Sequence, residues 1–222
     1  MGFIAKKIAT LHAPSVEPTT DVTKITKTNI KCLFREIRKG KLDTVKRFVV
    51  ANKSYANVRA TAPPKKDDGQ SPLQVSLKTA NFAIAVYLIE QGADVNFMEE
   101  SNLNAWRAPV LHDAIRATAF CVGGGVGLEK PLHIVEMMLQ RGANPNSVDS
   151  YGNSCLIRAI LDARIRIRPQ EVEAARKSGW LRDFEALFRV LIQAGADIHA
   201  KCADQPSPFE ETRGSFLEQF IA

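Results

Sequence analysis

Apolar residues along this chain recur at helical spacing, and the helical stretches come in pairs separated by polar turns. Leu73 and Leu77 stand four apart on one face, and Ile84, Leu88 and Ile89 form the stripe of a second helix. Nearer the start, Leu33, Ile37, Leu42, Val45, Phe48 and Val49, interrupted by Gly40, fit another pair. Three runs end in aliphatic residues: Val86-Tyr87-Leu88-Ile89, Met137-Met138-Leu139 and Val190-Leu191-Ile192. Each leads into one kind of corner, namely Gly92-Ala93-Asp94-Val95-Asn96, Gly142-Ala143-Asn144-Pro145-Asn146 and Gly195-Ala196-Asp197-Ile198-His199. A phrase returning in the same local setting predicts stacked copies of one unit.

A second element recurs ahead of each corner, as Ser71-Pro72-Leu73-Gln74-Val75-Ser76, Pro109-Val110-Leu111-His112-Asp113-Ala114 and Ser154-Cys155-Leu156-Ile157-Arg158-Ala159. Ser71 is placed to cap a helix with its hydroxyl, and Pro72 suits the first helical position, where a missing N–H costs nothing. Asp68-Gly69 and Asp149-Ser150-Tyr151-Gly152 supply turn chemistry before two of these helices. Together these segments resemble the Thr-Pro-Leu-His-x-Ala signature of ankyrin repeats, whose unit is a β-turn and two antiparallel helices of about 33 residues.

The resemblance covers about residues 29–222. It implies an all-α, ankyrin-repeat solenoid of four to five stacked helix-turn-helix units with short β-hairpin fingers. Lys31 to Val50 would close one end of the stack. Ser207-Pro208-Phe209-Glu210-Glu211 restarts the unit at the other end, with Phe216, Leu217, Phe220 and Ile221 sealing it. Residues 1–28, rich in Thr and Lys, are expected to be a mobile basic arm.

The spacing departs from the family pattern. Successive units begin 38, 45 and 53 residues apart, from Ser71 to Pro109 to Ser154 to Ser207, against a unit of about 33. The first excess falls in the finger, Phe97 to Ala108. The others enlarge two inter-helix turns, at 121–131 and 165–182, which should stack along one edge as a second contact surface. Within the later insert, Pro169 to Lys177 reads as a short helix with Gly179 just past its end.

Charge is distributed unevenly. Residues 1–70 hold 15 Lys/Arg against 6 Asp/Glu, a net +9, whereas residues 71–222 hold 15 against 18, a net −3. The basic end suits an anionic neighbour or merely a solvated cap. No apolar run approaches the roughly 18 residues needed to cross a bilayer, and the start lacks a secretory h-region with a cleavage site. Cys32, Cys121, Cys155 and Cys202 are far apart, without a Cys-x-x-Cys pair. They read as separate buried thiols in an intracellular, reducing compartment: the cytoplasm, with the nucleus left open.

Candidate partner contacts are Phe97, Met98, Trp106 and Arg107 in the finger, Tyr151 at a turn, and Arg166, Arg168 and Trp180 in the second insert. Trp and Arg give large contact areas and anchor interfaces. Alternatively, Trp106 folds back onto its own finger, and Trp180 staples the insert to the helices. Glu171, Glu173, Asp183 and Glu185 lie among the arginines and would neutralise much of that patch. No aromatic platform is interleaved, so nucleic acid is disfavoured. Gly123-Gly124-Gly125-Val126-Gly127 lacks the Gly-Lys-Ser/Thr of a phosphate loop and reads as a linker. His112 occupies the signature position, where ankyrin histidines join adjacent turns. No histidine has ligands at metal spacing, so no metal, cofactor or small-molecule substrate is expected, and no catalytic constellation is assembled.

The expectation is a small stand-alone ankyrin-repeat protein, non-catalytic, that binds, inhibits or assembles with another intracellular protein. One alternative is a membrane-surface adaptor using residues 1–28, with Gly2 open to lipidation although Lys6 stands where Ser or Thr is preferred. Another is an enzyme whose site is built from the inter-helix insertions.

Overall fold

A computed structural model describes residues 21–121, 129–202 and 205–221. Among these residues there are ten α-helices and four short 3-10 turns, and no strand. The helices are α1 (Lys27–Arg38), α2 (Leu42–Ala51), α3 (Pro72–Lys78), α4 (Phe82–Glu90), α5 (Val110–Cys121), α6 (Glu129–Gln140), α7 (Cys155–Arg166), α8 (Val172–Ser178), α9 (Trp180–Gln193) and α10 (Pro208–Thr212).

Their starts are written in side-chain chemistry. The Ser71 hydroxyl accepts the Gln74 N–H at 3.2 Å while the Gln74 side chain accepts the Ser71 N–H at 3.3 Å. Ser207 and Glu210 repeat this reciprocal cap at α10. Such caps satisfy N–H groups that a helix start otherwise leaves orphaned.

The helices form two rows. α1, α3, α5 and α7 touch in succession, and so do α2, α4, α6 and α9, while α1 packs on α2, α3 on α4, and α5 on α6. The apolar core runs between the rows, with Leu33, Ile37, Leu73, Ile84, Leu88, Leu111, Ile115, Ile134, Ile160, Phe184 and Phe188 withdrawn from water.

The corners stack through one repeated device. The Asn57 amide donates to the Gly92 carbonyl at 3.0 Å, and its carbonyl accepts the Asp94 N–H at 2.7 Å. Asn96 makes the same two bonds to Gly142 and Asn144, at 2.9 and 2.8 Å. Asn146 repeats them to Gly195 and Asp197, again at 2.9 and 2.8 Å. Gly92, Gly142 and Gly195 have φ of 86°, 85° and 92°, the left-handed region that requires glycine at these corners. The series stops where His199 replaces asparagine and tilts against Phe209 instead, with ring centroids 5.2 Å apart.

Several expectations need correction. Each finger is reduced to one isolated antiparallel bridge, Met98 to Pro109 and Val148 to Ser154. Inside the bridges Glu99 N–H still donates to Ala108 and Asp149 N–H to Asn153, but other finger residues bond to neighbouring turns. Glu100 N–H donates to Gly69 and Ser150 N–H to Arg107.

Residues 21–28 are not a free arm, because Asn29 bonds the Asp21 and Lys24 carbonyls and the Tyr55 hydroxyl bonds Lys24 at 2.6 Å. Thr26 caps α1, which already contains residues 27 and 28. Residues 1–20, including Gly2, lie outside the described residues, as do 122–128 of the first insert. The second insert is narrower than 165–182. α7 runs through Arg166 and α9 begins at Trp180, leaving the 3-10 turn at Pro169–Glu171 and α8, with Gly179 at φ 85° ending it. Of the four free thiols only Cys155 is buried.

Candidate interaction strip

The row of α3, α5 and α7 carries a chain of cations and rings along its solvent side. On α5 the core takes Val110, Leu111, Ala114, Ile115, Thr118 and Ala119. Arg116 and Phe120, four apart, are left on the opposite face. Phe120 remains 44% exposed. The Arg116 guanidinium lies 5.3 Å from its ring centre and that of Arg166, from the end of α7, lies 5.8 Å away. Arg166 in turn sits 5.3 Å from the Trp180 ring at the start of α9. Guanidinium against an aromatic ring is attractive and stiffens both side chains.

Toward the finger the chain continues through Lys78. Its ammonium lies 2.8 Å from Glu99, 3.8 Å from Asp113 and 5.8 Å from the Trp106 ring. Asp113 is buried and receives the Gln74 amide at 3.0 Å. Burial pushes its carboxyl up to about 6, against the pull of Lys78 and Gln74. A hollow of about 340 Å³ opens between Lys78, Asp113, Arg116 and Phe120. Deeper in α7, Arg158 grips Asp162 with two bonds of 3.1 and 2.8 Å, and Arg116 stands 4.0 Å from the same carboxylate. Burial raises Asp162, while both arginines act to lower it.

A larger hollow of about 530 Å³ lies beyond Arg166, walled by Ile165, Ile167, Ala174, Ala175 and Trp180 and rimmed by Arg168 and Glu171. Glu171 accepts the Arg168 backbone N–H at 3.2 Å. Other charges pair locally, Arg176 with Glu173 at 3.7 Å on α8 and Arg189 with Glu185 at 2.5 Å on α9. Arg164 bonds Glu211.

The two groups of sequence candidates are therefore joined. Trp106 and Trp180, 74 positions apart in the chain, end one strip whose middle is Lys78, Asp113, Arg116, Phe120 and Arg166. Trp106 is half-buried and donates its indole N–H to Asp149 at 2.9 Å, so it ties the finger to the next turn. Burial acts to raise Asp149, but bonds from Asn153, Trp106 and Tyr151 hold it below the usual carboxylate range.

The remaining candidates lie as follows. Arg107 is exposed and fixed by its backbone to Ser150. Phe97 packs on the core beneath Arg59, Met98 is exposed beside it, and Tyr151 is 59% exposed at the neighbouring turn. Sequence reasoning missed Lys78, Arg116 and Phe120. The available signal was the Arg116/Phe120 pair, set off the apolar stripe of α5.

His112 is buried, and its ring nitrogen meets the Ser147 carbonyl at 3.3 Å. Burial lowers it to about 4, while the charge of Asp149 acts in the opposite direction. It is thus a neutral link between consecutive turns. Among the described residues, no three His, Cys, Asp or Glu side chains are grouped to hold a metal ion. No helix among them is long and apolar enough to cross a membrane.

No protein-family profile matches this chain, and no curated protein matches it.

Proposed function

We propose that this chain is an ankyrin-repeat solenoid acting as a non-catalytic module that binds another protein across the strip from Trp106 to Trp180. The observation that carries the reading is Phe120, exposed between two guanidiniums that its own ring holds in place. An exposed aromatic flanked by ordered arginines combines the side chains that dominate interface energetics. The hollows on either side would admit carboxylate-bearing and apolar side chains of the partner.

Support for the solenoid comes from the asparagine bonds repeated at three corners, together with the two helix rows. A stack locked in this way fixes its surface before binding, so little ordering entropy is lost on association. The mechanism is rigid recognition: Arg116, Arg166 and Arg168 steer and pair carboxylates, while Phe120 and Trp180 give apolar contact.

Affinity capture from native lysate tests this reading. A protein retained by the wild-type chain should fall by about tenfold or more with Arg116→Ala plus Phe120→Ala, while far-ultraviolet circular dichroism stays unchanged. Equal retention by both chains would contradict it.

A further inference from the structure

The first helix pair presents a second surface, unlike the strip in composition. Lys27 and Lys31 lie four apart on the solvent face of α1, and Lys24 is exposed in the turn before it. On α2 the core takes Val45, Phe48 and Val49, which leaves Arg47 and Val50 pointing outward. Val50 is 79% exposed and Ile25 is 42% exposed. These two aliphatic residues belong to one end of the pair. The Asn52 amide bonds the Thr23 carbonyl at 3.0 Å and the Tyr55 hydroxyl bonds Lys24, which seats the turn carrying Ile25 on the end of α2. Lys53 follows at the same end.

The result is an aliphatic tip in a lysine collar. The exposed acids nearby are Asp21 and Asp43; Asp21 is engaged with Thr23, and Glu36 with Arg35 and Lys39. The aromatic side chains of this pair, Phe34, Phe48 and Tyr55, are buried, so there is no stacking platform for bases and no aromatic anchor for a protein pocket. Lysines also prevail over arginines here. Lysine acts as a mobile point charge suited to a diffuse anionic plane, whereas arginine is suited to bidentate recognition.

We infer that this end of the molecule docks on an anionic lipid bilayer, with Ile25 and Val50 entering the headgroup boundary and Lys24, Lys27, Lys31, Arg47 and Lys53 facing the lipid charge. The attraction of basic residues to such a surface is roughly fivefold in partitioning per residue and fades with salt. Aliphatic insertion adds a smaller, salt-independent share. The inference does not depend on the strip between Trp106 and Trp180.

Sedimentation of the full chain with sucrose-loaded vesicles tests it, using phosphatidylcholine alone and phosphatidylcholine with about one-third phosphatidylserine. The wild-type chain should pellet with the anionic vesicles only, and less so as salt rises. Lys27→Glu with Lys53→Glu should weaken this by more than about twentyfold. Val50→Ser should weaken it by about threefold, with the salt slope unchanged. Arg176→Glu with Lys177→Glu, on α8, changes net charge equally and should leave binding near wild type. The inference is overturned if the anionic vesicles do not bind the wild-type chain, or if the α8 pair weakens binding as much as the Lys27/Lys53 pair. Retention of random duplex DNA without vesicle binding would likewise overturn it, in favour of nucleic acid.

Discussion

Asn96 sits directly against Asn144, its side-chain carbonyl accepting the Asn144 backbone N–H at 2.8 Å. Its amide meanwhile donates to Gly142 at 2.9 Å. One side chain thus satisfies both a donor and an acceptor of the neighbouring corner, and Asn146 does the same one step further on. Asn96→Ala removes both bonds, and a loss of about 1–2 kcal/mol is expected from urea unfolding, given their exposure. Asn146→Ala should cost the same within about 0.5 kcal/mol, because the geometry repeats. A neutral Asn96→Ala would show that the corners are not held by these bonds.

The turns between the first and second helices of two consecutive pairs make a second comparison. Gly40 follows the cap of α1 with φ 68°, and Ala80 follows the cap of α3 with φ 54°. An L-residue in that region carries about 1–2 kcal/mol of strain, so Ala80→Gly should stabilise the protein. Greater freedom in the unfolded chain offsets part of the gain, leaving about 0.5–1 kcal/mol. Gly40→Ala should destabilise, since a Cβ there would stand 2.8 Å from the Asn81 side-chain oxygen. The Asn81 amide is itself engaged with the Ile37 carbonyl at 2.8 Å. Thermal midpoints moving in the same direction for both variants would contradict this account.

His112 and Asp113 oppose each other in pH dependence. Burial raises Asp113 from 3.8 to about 6, so between those values the folded chain keeps a proton that the unfolded chain releases. Its contribution to stability therefore falls as pH rises through that window. Burial lowers His112 from 6.5 to about 4, so the unfolded chain holds the extra proton and stability rises with pH. The slopes cancel in part across the shared window. Relative to wild type, Asp113→Asn should gain about 2 kcal/mol of stability between the lower and upper ends of it. His112→Gln should lose a similar amount. Urea midpoints as a function of pH read this directly; profiles parallel to wild type would refute it.

Trp106 is expected to matter for its indole N–H as well as its ring. Trp106→Phe keeps a ring near Lys78 but drops the bond to Asp149, a charge-assisted contact worth about 1–2 kcal/mol. Asp149 keeps its bonds from Tyr151 and Asn153, so the turn itself should persist. Denaturant unfolding measures the loss, and a Trp106→Phe chain as stable as wild type would contradict the tie.

Features legible in the sequence were those encoded over a few neighbouring residues. Gly92, Gly142 and Gly195 announced their corners, Ser71-Pro72 announced the start of α3, and Pro169 with Gly179 bracketed the short helix of the second insert. Features that depend on distant partners were hidden. Asn57 opens the asparagine series without a glycine-alanine phrase before it, so only its bonds to Gly92 and Asp94 reveal it. The expected hairpin fingers shrink to single bridges: beyond the bonds from Glu99 to Ala108 and from Asp149 to Asn153, residues such as Glu100 and Ser150 bond adjacent turns. Arg116 four positions before it hints at Phe120, but the second cation at its ring, Arg166, comes 46 positions later. The tether from Tyr55 to Lys24 likewise has no local sign, which is why residues 21–28 read as an arm.

Site-specific photo-crosslinking in native lysate tests the central functional claim most directly. A benzoylphenylalanine placed at Phe120, on the strip, should yield a defined covalent adduct with a partner protein. The same group at Gln140, exposed at the end of α6 in the other helix row, should yield none. An adduct from position 140 with none from position 120 would contradict the account.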